Sequence, residues 1–239
     1  KPSAALMQSL ENDAALIPSV FTDKPDRFIN EPYRRKLYIM RYRLEKNIIA
    51  IKHRLRGEYN VKMEHAYPSE QALLNELYLI RDSLISHGDG NIAERDLKDL
   101  IRLIETFGFY LVALDVRQES SRHMDAVTEL YRETDPKLDY MALSEQQRIN
   151  LLCQTITQKN LLRIDKNKLS APTSETLEVF SVIRAMREEI SHNAFSNYVI
   201  SMTHDASHVL EVLMLARQAG LILKTDSGWR CDIRPSPLF

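Results

Sequence analysis

Leu111-Val112-Ala113-Leu114-Asp115-Val116-Arg117-Gln118-Glu119-Ser120-Ser121-Arg122-His123 is the stretch that decides how this chain reads. Up to Leu114 it is apolar and reads as a buried strand, expected over residues 109–118. Asp115, Arg117, Gln118, Glu119, Arg122 and His123 then crowd into nine residues. In a parallel α/β barrel, chemistry sits where apolar strand gives way to polar strand end. Side chains alternate between faces along a strand, so Ala113, Asp115 and Arg117 share one face while Leu114 and Val116 share the other. A small residue, a carboxylate and a guanidinium on one face make a poor core. They make a plausible anion site.

Outward from this stretch, helical signals dominate. On its N-terminal side, residues 4–16 have a short helical pattern. Asn30 reads as an N-cap with Pro32 in the first turn, opening a long amphipathic helix to about Arg56 in which Leu37, Met40, Leu44, Ile48, Ile51 and Leu55 recur at helical spacing. Ser69 caps a helix with the stripe Leu73, Leu77, Ile80 and Leu84, ending at Gly88, and residues 91–106 form another. On the C-terminal side, helices are expected at 121–133, 144–159 and 174–189, the last capped by Ser174. Tyr198–Met202 reads as a short buried strand. Asp205 or Ser207 caps a helix closed by Gly220, and a hairpin turns around Asp226, Ser227 and Gly228. Leu238 and Phe239 read as the start of a last strand. The fold class that follows is mainly α with a few short parallel strands: an incomplete portion of an α/β (TIM-type) barrel wrapped in extra helices. Residues 1–106 form its helical region and 107–239 its partial barrel, in one continuous unit.

Composition narrows the function classes. The 239 residues carry 32 basic and 33 acidic side chains, a net charge of −1. This balance gives nucleic acid no electrostatic foothold as the main partner. With 44% hydrophobic residues the chain can bury a sizeable core, and six glycines suit a helix-rich fold. Cys153 and Cys231 stand far apart without CxxC spacing, so reduced thiols in a cytoplasmic protein are expected. No apolar run approaches the roughly 20 residues that span a bilayer. Lys1-Pro2-Ser3-Ala4 has neither an initiator Met nor a signal-peptide core, and Phe239 falls inside an apolar run, so the chain reads as an internal piece of a larger protein.

The charged stretch resembles the LDIRQES-x-RH block of the phosphoenolpyruvate carboxylases. Glu31-Pro32-Tyr33-Arg34-Arg35 is similar to their EPYR helix start. Tyr198-Val199-Ile200-Ser201-Met202, followed by Ser207 and Val209-Leu210, is similar to their ISM…SDVL block, and Pro237-Leu238-Phe239 to the beginning of their PLFET block. Four blocks in order along the chain are specific where one alone would be weak. The resemblance implies a cytoplasmic enzyme, a homotetramer, that joins phosphoenolpyruvate and bicarbonate into oxaloacetate and phosphate and so feeds the tricarboxylic acid cycle. It implies Mg²⁺ or Mn²⁺ in the full-length parent, with none bound by this piece. The remainder of the parent chain would be its partner, and neither nucleic acid nor membrane is implied. By the same resemblance Arg117 contacts the substrate phosphate, while Asp115, Gln118, Glu119, Arg122 and His123 orient it. The family's catalytic histidines, Gly-rich loop and metal-binding Glu have no counterpart in these residues, so the piece alone is expected to be inactive.

Three other features compete for attention. Arg117 could instead be tied up in an ion pair with Asp115 or Glu119. His204 and His208 have HxxxH spacing, but they straddle a helix start and lack further ligands, so a solvated helix end is expected rather than a metal site. The family usually has Asp at the position of His208. The segment 34–56 carries Arg34, Arg35, Lys36, Arg41, Arg43, Lys46, Lys52, Arg54 and Arg56 among tyrosines. It supports an alternative, a non-enzymatic helical scaffold using this basic helix as its contact surface. A core-packed helix whose basic rim meets acidic neighbours is the simpler reading.

Overall fold

In the computed structural model, which describes residues 1–58, 61 and 63–239, the chain divides into two compact units, Lys1–Leu111 and Val112–Phe239. The first is helical: α1 (Ala4–Asn12), α2 (Ile17–Val20), α3 (Pro32–Arg54), α4 (Glu70–Ser86), α5 (Gly90–Ile92) and α6 (Lys98–Phe107). A π-type turn, Ala93–Leu97, joins the last two, with Arg95 out of helical geometry. Ser69 caps α4 by accepting the N–H of Ala72, and Leu73, Leu77 and Ile80 are buried as their spacing requires. They meet Leu6, Met40, Ile101 and Ile104 in one apolar cluster, while Leu10, Leu16, Phe21 and Ile39 form a second.

The long helix departs from expectation. Glu31, not Asn30, occupies the N-cap of α3, without a side-chain cap bond. Leu37, Ile48, Ile51 and Leu55 are exposed, and the buried side carries Arg35, Lys36, Ile39 and Met40. Charge explains the rotation. The Lys36 side chain has no exposed surface, and its ammonium donates to Asp13 at 2.6 Å and Ser9 at 2.8 Å and lies 3.2 Å from Glu76. Arg43 reaches Glu76 at 2.7 Å, Tyr67 donates to the same carboxylate, and Arg35 donates to the carbonyls of Pro25 and Arg27. Arg34 and Arg41 pair with Glu31 and Glu45. Ionic partners inside the unit thus outweigh the aliphatic stripe. Arg34, Arg35, Lys36, Arg41 and Arg43 are engaged in this way, which takes the N-terminal half of the basic helix out of the contact surface that the scaffold alternative needs.

The second unit holds β1 (Leu114–Glu119), α7 (Ser120–Thr134), α8 (Glu145–Thr157), α9 (Ala171–Glu189), β2 (Phe195–Ser201), α10 (Ala206–Gln218), β3 (Ile222–Thr225), β4 (Gly228–Cys231) and β5 (Arg234–Pro237). The order β1-β2-β5 makes a three-stranded, all-parallel sheet, and β3 and β4 form the expected hairpin. The observed architecture is mainly helical with this small parallel sheet. Crossover helices explain the parallel pairing, since parallel neighbours need long connections. Tyr131, Tyr140, Leu152, Phe180, Tyr198, Ile200, Val212 and Leu215 build the core between helices and sheet, with Phe180 stacked on Tyr198 and Tyr131 on Tyr140.

Several boundaries move. α9 starts at Ala171, capped by Ser170 rather than Ser174, with Pro172 in its first turn. The last strand is Arg234–Pro237, not Leu238–Phe239, and its two prolines suit an edge position. β1 begins only at Leu114, because Gly108 and Leu111 both take left-handed φ (50° and 64°) and break the extended chain. Leu111, Val112 and Leu114 are exposed rather than buried, since no described element covers them.

Candidate functional site

β1 pairs in parallel with β2, with Arg117 opposite Val199 and Glu119 opposite Ser201. The register slips between Leu114 and Val116, and Asp115 stands at the slip. Its Oδ1 accepts the backbone N–H of Asn197 at 2.9 Å and the Asn197 amide at 3.1 Å, so this carboxylate fastens β1 to β2. Val116 points to the core, while Asp115, Arg117 and Glu119 alternate onto the exposed face.

Arg117 lies two residues from the end of β1, and α7 begins directly after it. Among the described residues its guanidinium makes neither hydrogen bond nor ion pair. The competing ion pair with Asp115 or Glu119 is therefore not formed. The first turn of α7 presents backbone N–H groups and the positive end of a four-turn helix. An unengaged guanidinium beside a helix N-terminus, at the carboxyl end of a parallel strand, is an arrangement suited to a phosphate or carboxylate.

The neighbouring residues divide. Arg122 and Glu119 are exposed. Gln118 turns its Oε1 to the N–H of Glu119 at 3.0 Å. His123 is fully buried, with Nε2 2.8 Å from the Tyr198 hydroxyl and Nδ1 without a partner. Burial, assisted by the nearby His208, pushes its pKa down to about 4, so it is neutral at ordinary pH. Ser120, also buried, donates to the carbonyl of Met202 at 2.6 Å. Asp115, Ser120 and His123 thus tie β1 and the start of α7 to β2 and the turn after it, rather than touching Arg117.

His208 is buried, not solvated as expected, and its Nδ1 accepts the N–H of His204, two residues before α10, at 3.3 Å. Burial holds its pKa below the usual histidine value. The adjacent Ser207 gives both N–H and hydroxyl to Glu145. Glu211, with no exposed surface, escaped the sequence reading. The Tyr140 hydroxyl donates to its Oε1 at 2.9 Å, Oε2 has no partner, and burial lifts the carboxyl to about 7. The available signal was an acid at the centre of the apolar 208–215 face. No group of three or more His, Cys, Asp or Glu side chains among the described residues is placed to hold a metal ion. Both cysteines are free and exposed. Among the described residues, no helix is long and apolar enough to cross a membrane.

These features define a mainly helical chain with a small parallel sheet and an arginine without a partner among the described residues near the end of β1. The chain belongs to the phosphoenolpyruvate carboxylase family, whose model, described as "Phosphoenolpyruvate carboxylase", matches residues 1–239. Among curated proteins, the phosphoenolpyruvate carboxylase of Prochlorococcus marinus (strain MIT 9312) is 36% identical over 99% of this chain and 25% of its own length. That of Synechococcus sp. (strain WH7803) is 33% identical over 99% of the chain and 24% of its own length. That of Synechocystis sp. (strain ATCC 27184 / PCC 6803 / Kazusa) is 34% identical over 100% of the chain and 23% of its own length. The chain therefore spans about a quarter of the length of these relatives.

Proposed function

We propose that this chain is part of an enzyme that forms oxaloacetate and phosphate from phosphoenolpyruvate and bicarbonate, and that Arg117 binds the phosphate of the substrate. The observation that carries the reading is the unengaged Arg117 guanidinium at the carboxyl end of β1, directly before the N-terminus of α7. Its planar fork of N–H donors matches two phosphate oxygens at once. The first turn of α7, which follows β1 directly, adds backbone N–H donors. Asp115, Gln118, Glu119, Arg122 and His123 serve as supporting residues. Asp115 and His123 act through β2: their bonds to Asn197 and Tyr198 keep the strand end, and hence the guanidinium, in place.

The relatives are about four times as long as this chain, so the remaining machinery belongs to the rest of such a parent. There a divalent cation, Mg²⁺ or Mn²⁺, would offset negative charge developing on the enolate. The sheet β1-β2-β5 is read as three neighbouring strands of a TIM-type barrel, in a cytoplasmic homotetramer. Alone, the 239 residues are expected to show no carboxylation of phosphoenolpyruvate.

Steady-state kinetics of a full-length parent test the assignment. Arg117→Ala removes a charged hydrogen-bonding group worth on the order of 2–4 kcal/mol, so kcat/KM should fall by roughly 30- to 1,000-fold, with KM for phosphoenolpyruvate raised. Arg117→Lys should recover only part of this, because an ammonium cannot reproduce the fork. Kinetics near those of the unmodified enzyme for Arg117→Ala would remove Arg117 from the site.

A further inference from the structure

At the opposite end of the sheet, where α9 hands over to β2, a cleft of about 120 Å³ gathers three arginines: Arg184 and Arg187 from α9 and Arg230 from β4. Glu188 and Asp232 share it, so the guanidiniums exceed the carboxylates by one charge before His192, also in the wall, is counted. Its volume is well above the roughly 10–15 Å³ that one water needs.

The three guanidiniums are held by bonds that leave donors on each. Arg184 gives Nε to Glu188 at 3.0 Å and Nη1 to the carbonyl of Ala219 at 3.4 Å. It thereby covers the C-terminal end of α10, whose partial negative charge would otherwise repel an anion. Gly220 makes room for it: φ is +79°, and a Cβ there would stand 2.8 Å from Arg184 Nη1. Arg187, the most buried of the three, donates to the carbonyl of Phe195 at 3.3 Å and lies 3.9 Å from Asp232. Arg230 reaches the same carboxylate at 3.1 Å. Asp232 thus braces two arginines from different elements, and Leu221 and Leu223 complete the wall.

We infer that this cleft is a second anion site, separate from Arg117, that binds the phosphate group of a small molecule. Guanidinium forks from α9 and β4 with a surplus positive charge match phosphate oxygens, and the cleft lies at the amino end of β2, away from the end of β1 that carries Arg117. The inference does not depend on the role proposed for Arg117.

The chain carries its own reporter. Trp229 is its single tryptophan, next to Arg230 and 5.4 Å from the guanidinium of Arg217. Titration of the 239-residue chain with inorganic phosphate at constant ionic strength should change Trp229 emission along a saturating curve and raise the unfolding midpoint. Chloride at the same ionic strength should do neither. The double variant Arg184→Gln/Arg230→Gln should weaken binding at least tenfold, about 1.4 kcal/mol, with its circular dichroism unchanged because both side chains are more than half exposed. Arg117→Ala should leave the curve unaltered. Equal responses to chloride and phosphate, or unchanged binding by the double variant, would overturn the proposal. Loss of the response in Arg117→Ala would overturn it too, by moving the phosphate to the end of β1.

Discussion

Two buried residues of opposite character, Glu211 and His123, pull the stability of this chain in opposite directions with pH. Glu211 keeps its proton to about pH 7 in the fold, against 4.5 as a free side chain. Its contribution is complete below pH 4.5 and is lost as pH rises to 7, by on the order of 3 kcal/mol. His123 stays neutral down to about pH 4, against 6.5 when free. Its contribution is complete above pH 6.5 and is lost, by a similar amount, as pH falls toward 4. Between pH 4.5 and 6.5 the two slopes largely cancel. His208, also lowered by burial, adds to the acid side; Arg148, Glu145 and Asp125 act on Glu211, and Asp205, Glu145, His204 and Arg148 act on His208. Urea midpoints across this window should therefore vary little in the unmodified chain. In Glu211→Gln they should rise with pH, and in His123→Asn they should fall. A Glu211→Gln profile as flat as that of the parent chain would show that the carboxyl titrates normally.

Among the elements, α3 is the one whose packing depends on charge rather than on aliphatic area. Lys36 joins it to Asp13, at the end of α1, and to Glu76 on α4, with no exposed side-chain surface. Breaking a buried pair from one side leaves carboxylates without compensation, so Lys36→Met should cost about 3–5 kcal/mol in denaturant unfolding. Adding Asp13→Asn should restore part of it, because one stranded charge then disappears. A loss below about 1 kcal/mol would mean the network is solvated. The helix itself was legible from its sequence, but its orientation was not. Leu37, Ile48, Ile51 and Leu55 form a convincing stripe, and only the partners Asp13, Glu76 and Tyr67, distant in sequence, turn that stripe outward. At the strand, the alternation of Asp115 and Arg117 against Val116 was readable because a period of two is local. The slip at Asp115 and its bond to Asn197 were not, because they involve a partner 82 positions away.

For the molecule as a whole, the parallel sheet is the exposed liability. β1 and β5 each pair on one side only among the described strands, and Leu111, Val112 and Leu114 lie uncovered beside β1. Unpaired strand edges with adjacent apolar surface invite pairing between chains. Sedimentation velocity of the chain should show weight-average mass rising with concentration, and Leu114→Lys should reduce the rise by placing a charge at the edge. A single monomeric species across a hundredfold range of concentration would count against the edges as sticky surfaces. By itself the sequence determined the helix-rich class, the order of helices and parallel strands, the hairpin and the four blocks that mark the family, because periodicity, turn chemistry and motifs are local properties. Only the tertiary structure decided which face of α3 is buried, that β1 starts at Leu114, that Arg117 is left without an ionic partner among the described residues while Asp115 is bonded to Asn197, and that Glu211 and His208 lie in the interior. Burial and ionic pairing depend on which distant segments come together, and that is settled by the packing of the whole chain.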